Sequence, residues 1–279
     1  MNHRIISRID IKGPNLVKGV HLEGLRVLGK PEKFAKYYYQ EGIDELIYQD
    51  VVASLYERNS LEKIIEKTAE KIFIPMTVGG GIRNLNDIHR ILRAGADKVS
   101  INTAAIKKPD FIKESTEYYG SSTIVISMEV IRQNDGEYLL FIDNGREHTG
   151  VNLKYWLEKV QELGAGEIVV TSVDNDGTMR GLDINLIDLA IEYASVPIIF
   201  HGGIGSLSDA DILINSQISG LAIASAFHYN YLPILKSSDA DYSEGNVDFI
   251  EKQSHVKKGF SIPDLKIYLN KRGVSVRNS

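Results

Sequence analysis

Cysteine is absent from the 279-residue chain, which excludes disulfides, thiolate nucleophiles and cysteine-bound zinc. No run of about 18 consecutive apolar residues occurs, and the N-terminal stretch MNHRIISRIDIKG lacks the apolar core of a signal peptide. An excess of basic charge is also missing, because 32 Lys and Arg face 37 Asp and Glu, a formal net charge of −5. This balance argues against broad binding to nucleic acid or membrane surfaces, and we expect a cytoplasmic protein.

Short β-rich runs alternate with helical patterns from end to end. Most of these runs are rich in Ile and Val without strict alternation, which is typical of parallel strands covered on both faces. The predicted strands are 4–11, 45–51, 74–80, 98–102, 123–130, 167–173, 197–203 and 220–225. Between two of them, Leu85, Ile88 and Ile91 share one face of a predicted helix over 84–95, with Asn84 as its N-cap. Eight such strands predict a (β/α)8 barrel, with an open doubly wound sheet as the rival fold.

An internal repeat favours the barrel over the open sheet. A shift of 122 residues aligns GIDELIYQDV (42–51) with GAGEIVVTSV (164–173), and VGGGI (78–82) with FHGGI (200–204). The same shift aligns VSINTAA with LAIASAF. We therefore predict a single domain over 1–279, built from two similar half-barrels.

One segment exceeds what a barrel needs. Residues 229–258 are polar and show no clear periodicity, so they are interpreted as an inserted loop after the eighth strand. A last helix is predicted across IPDLKIYLNKRG, which follows this segment.

Each half also carries a candidate phosphate-binding site, and we call these sites the first and the second phosphate grip. One strand ends in a glycine pair that runs into a helix, and the next strand ends in small residues. Glycines let the backbone approach a ligand closely, and free N–H groups at a helix start favour an anion. The duplication predicts a ligand with two phosphates, although such glycines can simply form tight turns. The residues are Gly80, Gly81, Asn102 and Thr103 in the first half and Gly202, Gly203, Ala224 and Ser225 in the second, with His201 beside the second pair.

Carboxylates end several of the predicted strands. Asp10 ends the first strand and Glu129 the fifth, so the two face each other across an eight-stranded barrel. Strand C-termini hold the catalytic groups of barrel enzymes, and two opposed carboxylates suit general acid/base chemistry, although single carboxylates there often only cap helices. Asp50 and Asp176 occupy similar positions. No set of His and carboxylates has metal-ligand spacing, and we expect neither a metal nor another cofactor.

Charged residues also stand at the opposite end of the barrel. Arg4, Glu45, Lys98 and Glu167 begin the first, second, fourth and sixth strands. Such a set can be a salt-bridged plug or a gate for a small molecule, and the residues alone leave both open.

Together these motifs resemble the cyclase subunit of imidazole glycerol phosphate synthase over nearly the whole chain. The most specific strings are RIISRIDIKG, GIDELIYQD, TVGGGI, GADKVSINTAA, GAGEIVVTSVDNDGT and PIIFHGGIG. The resemblance implies a barrel whose bottom docks on a glutaminase in a heterodimer. Ammonia released there would pass through the barrel to a bisphosphorylated ribotide, which is converted to imidazole glycerol phosphate and an aminoimidazole ribotide.

The resemblance also implies roles for individual residues. Asp10 matches the first catalytic aspartate, and Lys18 matches the lysine of a mobile loop that closes over substrate. The gate quartet (Arg4, Glu45, Lys98 and Glu167) would admit ammonia, and Asp97 would face the glutaminase. The first phosphate grip is implied to contain Gly81, Asn102 and Thr103, and the second Asp176, Gly177, Gly203, Ala224 and Ser225.

Several positions depart from the family pattern. Glu129 stands where the family has an aspartate, and the extra methylene matters because a shift of ~1 Å can slow a reaction roughly 100-fold. Phe200 and His201 replace two small residues beside the second grip, which narrows it or adds a donor. The first loop reads GPNLVKG, and most of 229–258 has no family counterpart.

These departures leave alternatives open. A paralogue could conduct ammonia from a glutaminase to a sugar amidotransferase that makes amidino groups on surface sugars. The sister isomerase of histidine biosynthesis shares the repeat and the opposed carboxylates, but the gate quartet argues against it. A non-catalytic scaffold that only conducts ammonia is a further class.

Overall fold

A closed barrel of eight parallel strands forms the centre of the computed structural model, which describes residues 2–53, 61–238 and 259–277. The strands pair in the order β1, β4, β5, β6, β7, β10, β11, β12, and β12 pairs with β1 to close the barrel. This confirms the predicted (β/α)8 fold. Their bounds are β1 Arg4–Lys12, β4 Glu45–Asp50, β5 Met76–Gly79, β6 Lys98–Ile101, β7 Ile124–Arg132, β10 Glu167–Ser172, β11 Ile198–His201 and β12 Gly220–Ile223.

Helices cover the outside of the barrel. Asn84 accepts a hydrogen bond from the Asp87 N–H and so caps the helix predicted after it, and Ser261 caps the last helix in the same way. In the described ranges the helices are α1 Pro31–Gln40, α2 Glu62–Ala69, α3 Leu85–Arg93, α4 Thr103–Lys107, α5 Asp110–Tyr119, α6 Leu153–Glu162, α7 Ile184–Tyr193, α8 Ser225–Ser238 and α9 Ile262–Lys271. Short 3₁₀ helices lie at Ser121–Thr123 and Leu207–Leu213.

The barrel interior is layered because alternate residues of each strand face its axis. On β1 this face carries Arg4, Ile6, Arg8 and Asp10 in order from bottom to top. A compact apolar layer lies between the charged bottom and the polar top, and it packs separately from the larger core under the helices. Its members are Ile6, Ile47, Val125, Val169, Ile199 and Ala222.

Two β-hairpins that the sequence patterns did not predict extend the barrel at its upper end. The first, β2 (Asn15–Val20) with β3 (Glu23–Gly29), follows β1, and the second, β8 (Tyr138–Ile142) with β9 (Glu147–Asn152), follows β7. Each therefore follows the first strand of its half-barrel, so the repeat includes a hairpin. The first turn lacks the usual sequence signal, because His21 and Leu22 adopt its positive φ angles of 54° and 59° instead of the glycine or asparagine that such turns favour.

The insertion predicted over 229–258 begins later in the chain than residue 229. Helix α8 continues to Ser238, so the first ten residues of 229–258 are helical. The reason is that α8 buries Tyr231, Leu232 and Leu235 against the barrel core. Residues 239–258 lie outside the described residues.

The apolar layer yields a test of the barrel interior. We expect Ile6→Ala to lower the free energy of unfolding by about 2–5 kcal/mol, since Ile6 is fully buried and the surrounding strands cannot collapse into the cavity. Ile267→Ala on the outer face of α9 is the matched control, with an expected loss of roughly 0.5 kcal/mol or less because Ile267 is 53% exposed. Urea unfolding of both variants measures the difference, and equal losses would contradict the layered interior.

Candidate functional site

The predicted catalytic carboxylates lie at the upper end of the barrel, where the strands end. Asp10 is on β1 and Glu129 is on β7, which are the first and fifth of the eight barrel strands. Both side chains are buried. The structure therefore places them on opposite sides of the barrel, as the sequence predicted.

Asp10 and four other buried side chains form a closed circuit of polar contacts, which we call the polar ring. Arg8 Nε donates to Asp10 Oδ1 at 2.8 Å, and Lys18 Nζ donates to Asp10 Oδ2 at 3.3 Å. Lys18 Nζ also donates to Asp176 Oδ2 at 2.7 Å. His201 closes the ring, with Nε2 3.5 Å from Asp176 Oδ1 and Nδ1 3.3 Å from Arg8 Nη1.

The polar ring fixes the protonation of its members. Burial alone would raise the pKa of Asp10, but the cations of Arg8 and Lys18 hold it well below its usual range. The pKa of Asp176 is lowered in the same way, against the effect of burial, chiefly by Lys18. Burial and the neighbouring Arg8 lower the pKa of His201 to about 3. Two cations thus balance two carboxylates around a neutral imidazole.

Glu129 lies outside the polar ring and has a different electrostatic environment. Its Oε2 accepts a hydrogen bond from the Gly145 N–H at 2.8 Å, in the turn between β8 and β9. Burial is the largest influence and raises the pKa of Glu129 to about 7, although Gly145 and Arg8 oppose the shift. Near neutral pH the two facing carboxylates therefore differ, with Asp10 ionised and Glu129 about half protonated.

The first phosphate grip borders an open cavity of about 210 Å³. Gly81, Asn102 and Thr103 line it, together with Asp50 and Glu129. Among the described residues, the buried Oδ1 of Asn102 has no hydrogen-bond partner, so the wall of this cavity contains an unsatisfied acceptor that only a hydrogen-bond donor can satisfy. Burial raises the pKa of Asp50 in the same wall.

Asp143 partly covers the first grip. It lies in the β8–β9 turn, and its Oδ1 accepts a hydrogen bond from Thr103 Oγ1 at 3.3 Å. Lys107 Nζ at the rim lies 3.9 Å from Asp143 Oδ2. The Asp143 carboxylate thus uses the Thr103 hydroxyl, which the sequence predicts as a phosphate donor.

The second phosphate grip has much less empty space than the first. The predicted residues converge there, but the cavity between them is only about 10 Å³, which is room for about one water molecule. The first hairpin causes this closure, since a Cβ on Gly177 would lie 2.2 Å from the carbonyl oxygen of Gly19. His201 lines the cavity, whereas Phe200 belongs to the core under the helices. The lining includes Asp176, Gly177, Gly202, Gly203, Ala224 and Ser225.

The gate quartet forms a closed set of ion pairs at the lower end of the barrel. Arg4 bridges the two glutamates, with Nη1 2.9 Å from Glu45 Oε1 and Nη2 2.5 Å from Glu167 Oε1. Lys98 Nζ lies 2.9 Å from Glu167 Oε2 and 3.9 Å from Glu45 Oε2. Nearby, Asp97 is exposed at the start of β6, and its Oδ2 accepts a hydrogen bond from the Met76 N–H.

Sequence reasoning missed two groups that touch the predicted catalytic residues. Arg8 pairs with Asp10, and its position two residues before Asp10, on the same face of the strand, was a usable signal. Gly145 belongs to an Asp-Asn-Gly string that indicates a turn, but only the fold shows that the turn reaches Glu129. In the same turn, Asn144 donates to the Leu22 carbonyl and so joins the two hairpins across the barrel mouth.

Comparison with known proteins gives consistent matches. The family model described as "Histidine biosynthesis protein" matches residues 4–233. Among curated proteins, the imidazole glycerol phosphate synthase subunit HisF of Legionella pneumophila is 51% identical over 208 residues, covering 75% of this chain and 98% of that protein. The HisF subunit of Natranaerobius thermophilus is 37% identical over 275 residues, covering 98% of each. That of Alkaliphilus metalliredigens is 42% identical over 238 residues, covering 84% of this chain.

The described residues contain neither a cluster suited to a metal ion nor a membrane-spanning helix. No group of three or more His, Asp or Glu there is placed to hold a metal ion. None of the helices in those ranges is long and apolar enough to cross a membrane.

The raised pKa of Glu129 predicts a pH-dependent stability. The ordinary pKa of a glutamate is 4.5 and the pKa of Glu129 in the folded protein is about 7, so the folded state binds this proton more tightly. The stabilisation is complete below about pH 4.5 and is lost as the pH rises through about 7. Relative to Glu129→Gln, the wild-type free energy of unfolding should fall by about 3 kcal/mol across this range and stay constant above it.

Urea unfolding at a series of pH values measures this difference. Glu158→Gln on α6 is the matched control, because Glu158 is exposed and its replacement should give no pH-dependent difference. A wild-type minus Glu129→Gln difference that does not change with pH would contradict the raised pKa.

Proposed function

The chain belongs to the histidine biosynthesis protein family, and from this we propose that it is the cyclase subunit of imidazole glycerol phosphate synthase. In the proposed reaction, ammonia and a bisphosphorylated ribulosyl-formimino aminoimidazole carboxamide ribotide give imidazole glycerol phosphate, aminoimidazole carboxamide ribotide and water. The observation that carries the proposal is that Asp10 and Glu129 face each other with different pKa values, between the two phosphate grips.

The two carboxylates are suited to different steps of this reaction. Adding ammonia, closing the imidazole ring and releasing the second product each require a proton to be taken up or given. Asp10 is ionised and can accept a proton, whereas Glu129 has a pKa of about 7 and can donate one near neutral pH. Carboxylates whose environments separate their pKa values in this way commonly divide the base and acid roles.

Substrate binding requires the first hairpin to move. The first grip is open, so we infer that one phosphate binds at Gly81, Asn102 and Thr103 after Asp143 withdraws. The second grip has no room for a phosphate while Lys18 remains in the polar ring. Withdrawal of Lys18 with the hairpin would open the second grip and free its ammonium group for the substrate.

Ammonia would enter through the gate quartet at the other end of the barrel. The ion pairs close the lower entrance, and the apolar layer above them offers a neutral molecule a path that excludes ions. We propose that a glutaminase subunit docks on this face, where Asp97 is exposed. The relatives are themselves named as subunits, which supports a partner.

The alternatives receive less support. The relatives described above carry the name of the histidine-pathway synthase, and none of those names refers to surface sugars, so the sugar-amidotransferase paralogue is not favoured. The paired gate quartet is a feature that the sister isomerase would not need. The family model spans most of the barrel, so we further propose that 1–279 forms one domain with its insertion within 239–258.

The catalytic assignment predicts large losses on neutralising either carboxylate. Purified protein is mixed with ammonium chloride and the bisphosphorylated ribotide, and formation of imidazole glycerol phosphate is followed. Asp10→Asn and Glu129→Gln should each lower turnover roughly 100- to 10,000-fold, because each removes a proton-transfer group. The exposed Glu158→Gln should have wild-type activity. Absence of product with both the wild type and the Glu129→Asp variant would refute the proposed reaction.

The gate assignment predicts a selective defect in Lys98→Met. Loss of the two ion pairs of Lys98 alters the entrance but leaves the upper end of the barrel intact. In the complex with the glutaminase subunit, glutamine-driven turnover should fall while ammonium-driven turnover is retained. Lys159→Met, which breaks the exposed pair with Glu162, is the control and should affect neither. Equal losses with both nitrogen sources would contradict a gate.

A further inference from the structure

Arg8 is a buried cation just below the predicted catalytic Asp10. It is 2% exposed and lies on β1 between the apolar layer and Asp10. Its guanidinium uses different nitrogens for different partners, since Nε donates to Asp10 Oδ1 at 2.8 Å and Nη1 donates to Thr171 Oγ1 at 3.0 Å. The same Nη1 lies 3.3 Å from His201 Nδ1. One side chain therefore touches both Asp10 and a residue of the second grip.

These contacts determine the tautomer of His201. Guanidinium nitrogens can only donate hydrogen bonds, so Nδ1 must present its lone pair to Arg8. The ring proton then resides on Nε2, which faces the Asp176 carboxylate at 3.5 Å. The opposite tautomer would set a donor against a donor at Arg8 and a lone pair against a carboxylate at Asp176. Both neighbours thus favour the same tautomer, and the lowered pKa of His201 excludes the doubly protonated form.

We propose that Arg8 is a positioning residue that holds His201 as the Nε2–H tautomer and thereby joins the orientation of Asp10 to the second phosphate grip. This inference rests on the proposed function, in which that grip binds a phosphate. His201 lines the small cavity of the grip, so its Nε2–H is a donor that an anionic oxygen can meet there once the hairpin moves. In the other tautomer a lone pair would face the anion and oppose binding.

Lysine cannot replace arginine in this role. The planar guanidinium donates along several fixed directions, whereas an ammonium group on a flexible stem is a single point charge. Arg8→Lys keeps a cation near Asp10 but cannot hold Asp10 Oδ1 and His201 Nδ1 in one rigid geometry. This variant therefore separates the charge of Arg8 from its shape.

The test measures the tautomer directly, without substrate. Protein labelled with ¹⁵N-histidine is examined by NMR, and the His201 signals are assigned by their loss in His201→Gln. In the wild type we expect a protonated Nε2 and an unprotonated Nδ1. Arg8→Met and Arg8→Lys should shift the two ¹⁵N signals towards each other as the tautomers mix, with thermal melting used to verify folding. A wild-type His201 protonated on Nδ1 would overturn the proposal, even where a variant fails to fold.

Thr171→Val provides the matched control for the buried environment. It removes the other acceptor of Arg8 Nη1 but leaves every member of the polar ring in place, so the His201 signals should stay as in the wild type. Unchanged His201 signals in folded Arg8→Lys and Arg8→Met would overturn the proposed role of Arg8.

Kinetics with ammonium distinguish positioning from general destabilisation. Arg8→Lys should raise the KM for the ribotide about tenfold, because a misoriented donor weakens phosphate binding, with a smaller change in kcat. A loss confined to kcat would overturn the link to the second grip. If the wild type forms no imidazole glycerol phosphate, the proposed function fails, whereas the NMR result still decides whether Arg8 sets the tautomer.

Discussion

The ion pairs that join Arg8 and Lys18 to Asp10 and Asp176 govern the rest of the upper barrel. Four charges have been removed from water, which is tolerable only because each has an opposite charge within hydrogen-bond distance. These contacts keep Asp10 ionised and secure the first hairpin against the barrel mouth. They also engage Lys18, and among the described residues Glu129, on the opposite side of the barrel, has no ion-pair partner.

The separation of roles between the two ends follows from strand geometry. Because side chains alternate along each strand, the axis-facing positions form successive layers of gate, apolar packing, polar ring and mouth. Charge at the bottom and charge at the top are isolated from each other by the apolar layer. The barrel can therefore keep an ion-paired entrance at one end and proton-transfer chemistry at the other, without a continuous path for ions.

The two half-barrels are alike in sequence but differ in the size of the cavity at their phosphate grips. Both place a glycine pair and a hairpin at corresponding points, yet the first grip borders a cavity of about 210 Å³ and the second one of about 10 Å³. In the first hairpin, Lys18 pairs with Asp176 and the Gly19 carbonyl lies close to Gly177 of the second grip, whereas Asp143 of the second hairpin lines the cavity of the first. The two grips therefore differ in how the neighbouring hairpin contacts them.

The amino-acid pattern alone determined the eight barrel strands, the capped helix at Asn84, the half-barrel repeat and the placement of Asp10 and Glu129 on opposite strands of the barrel. These features depend on local periodicity and on residue order, which a sequence carries directly. Only the tertiary structure decided the protonation of the two carboxylates, the closed second grip and the contact of Arg8 with His201. Each of these depends on burial and on partners far away in the chain, such as Lys18 with Asp176 and Glu129 with Gly145, and no local pattern encodes such contacts.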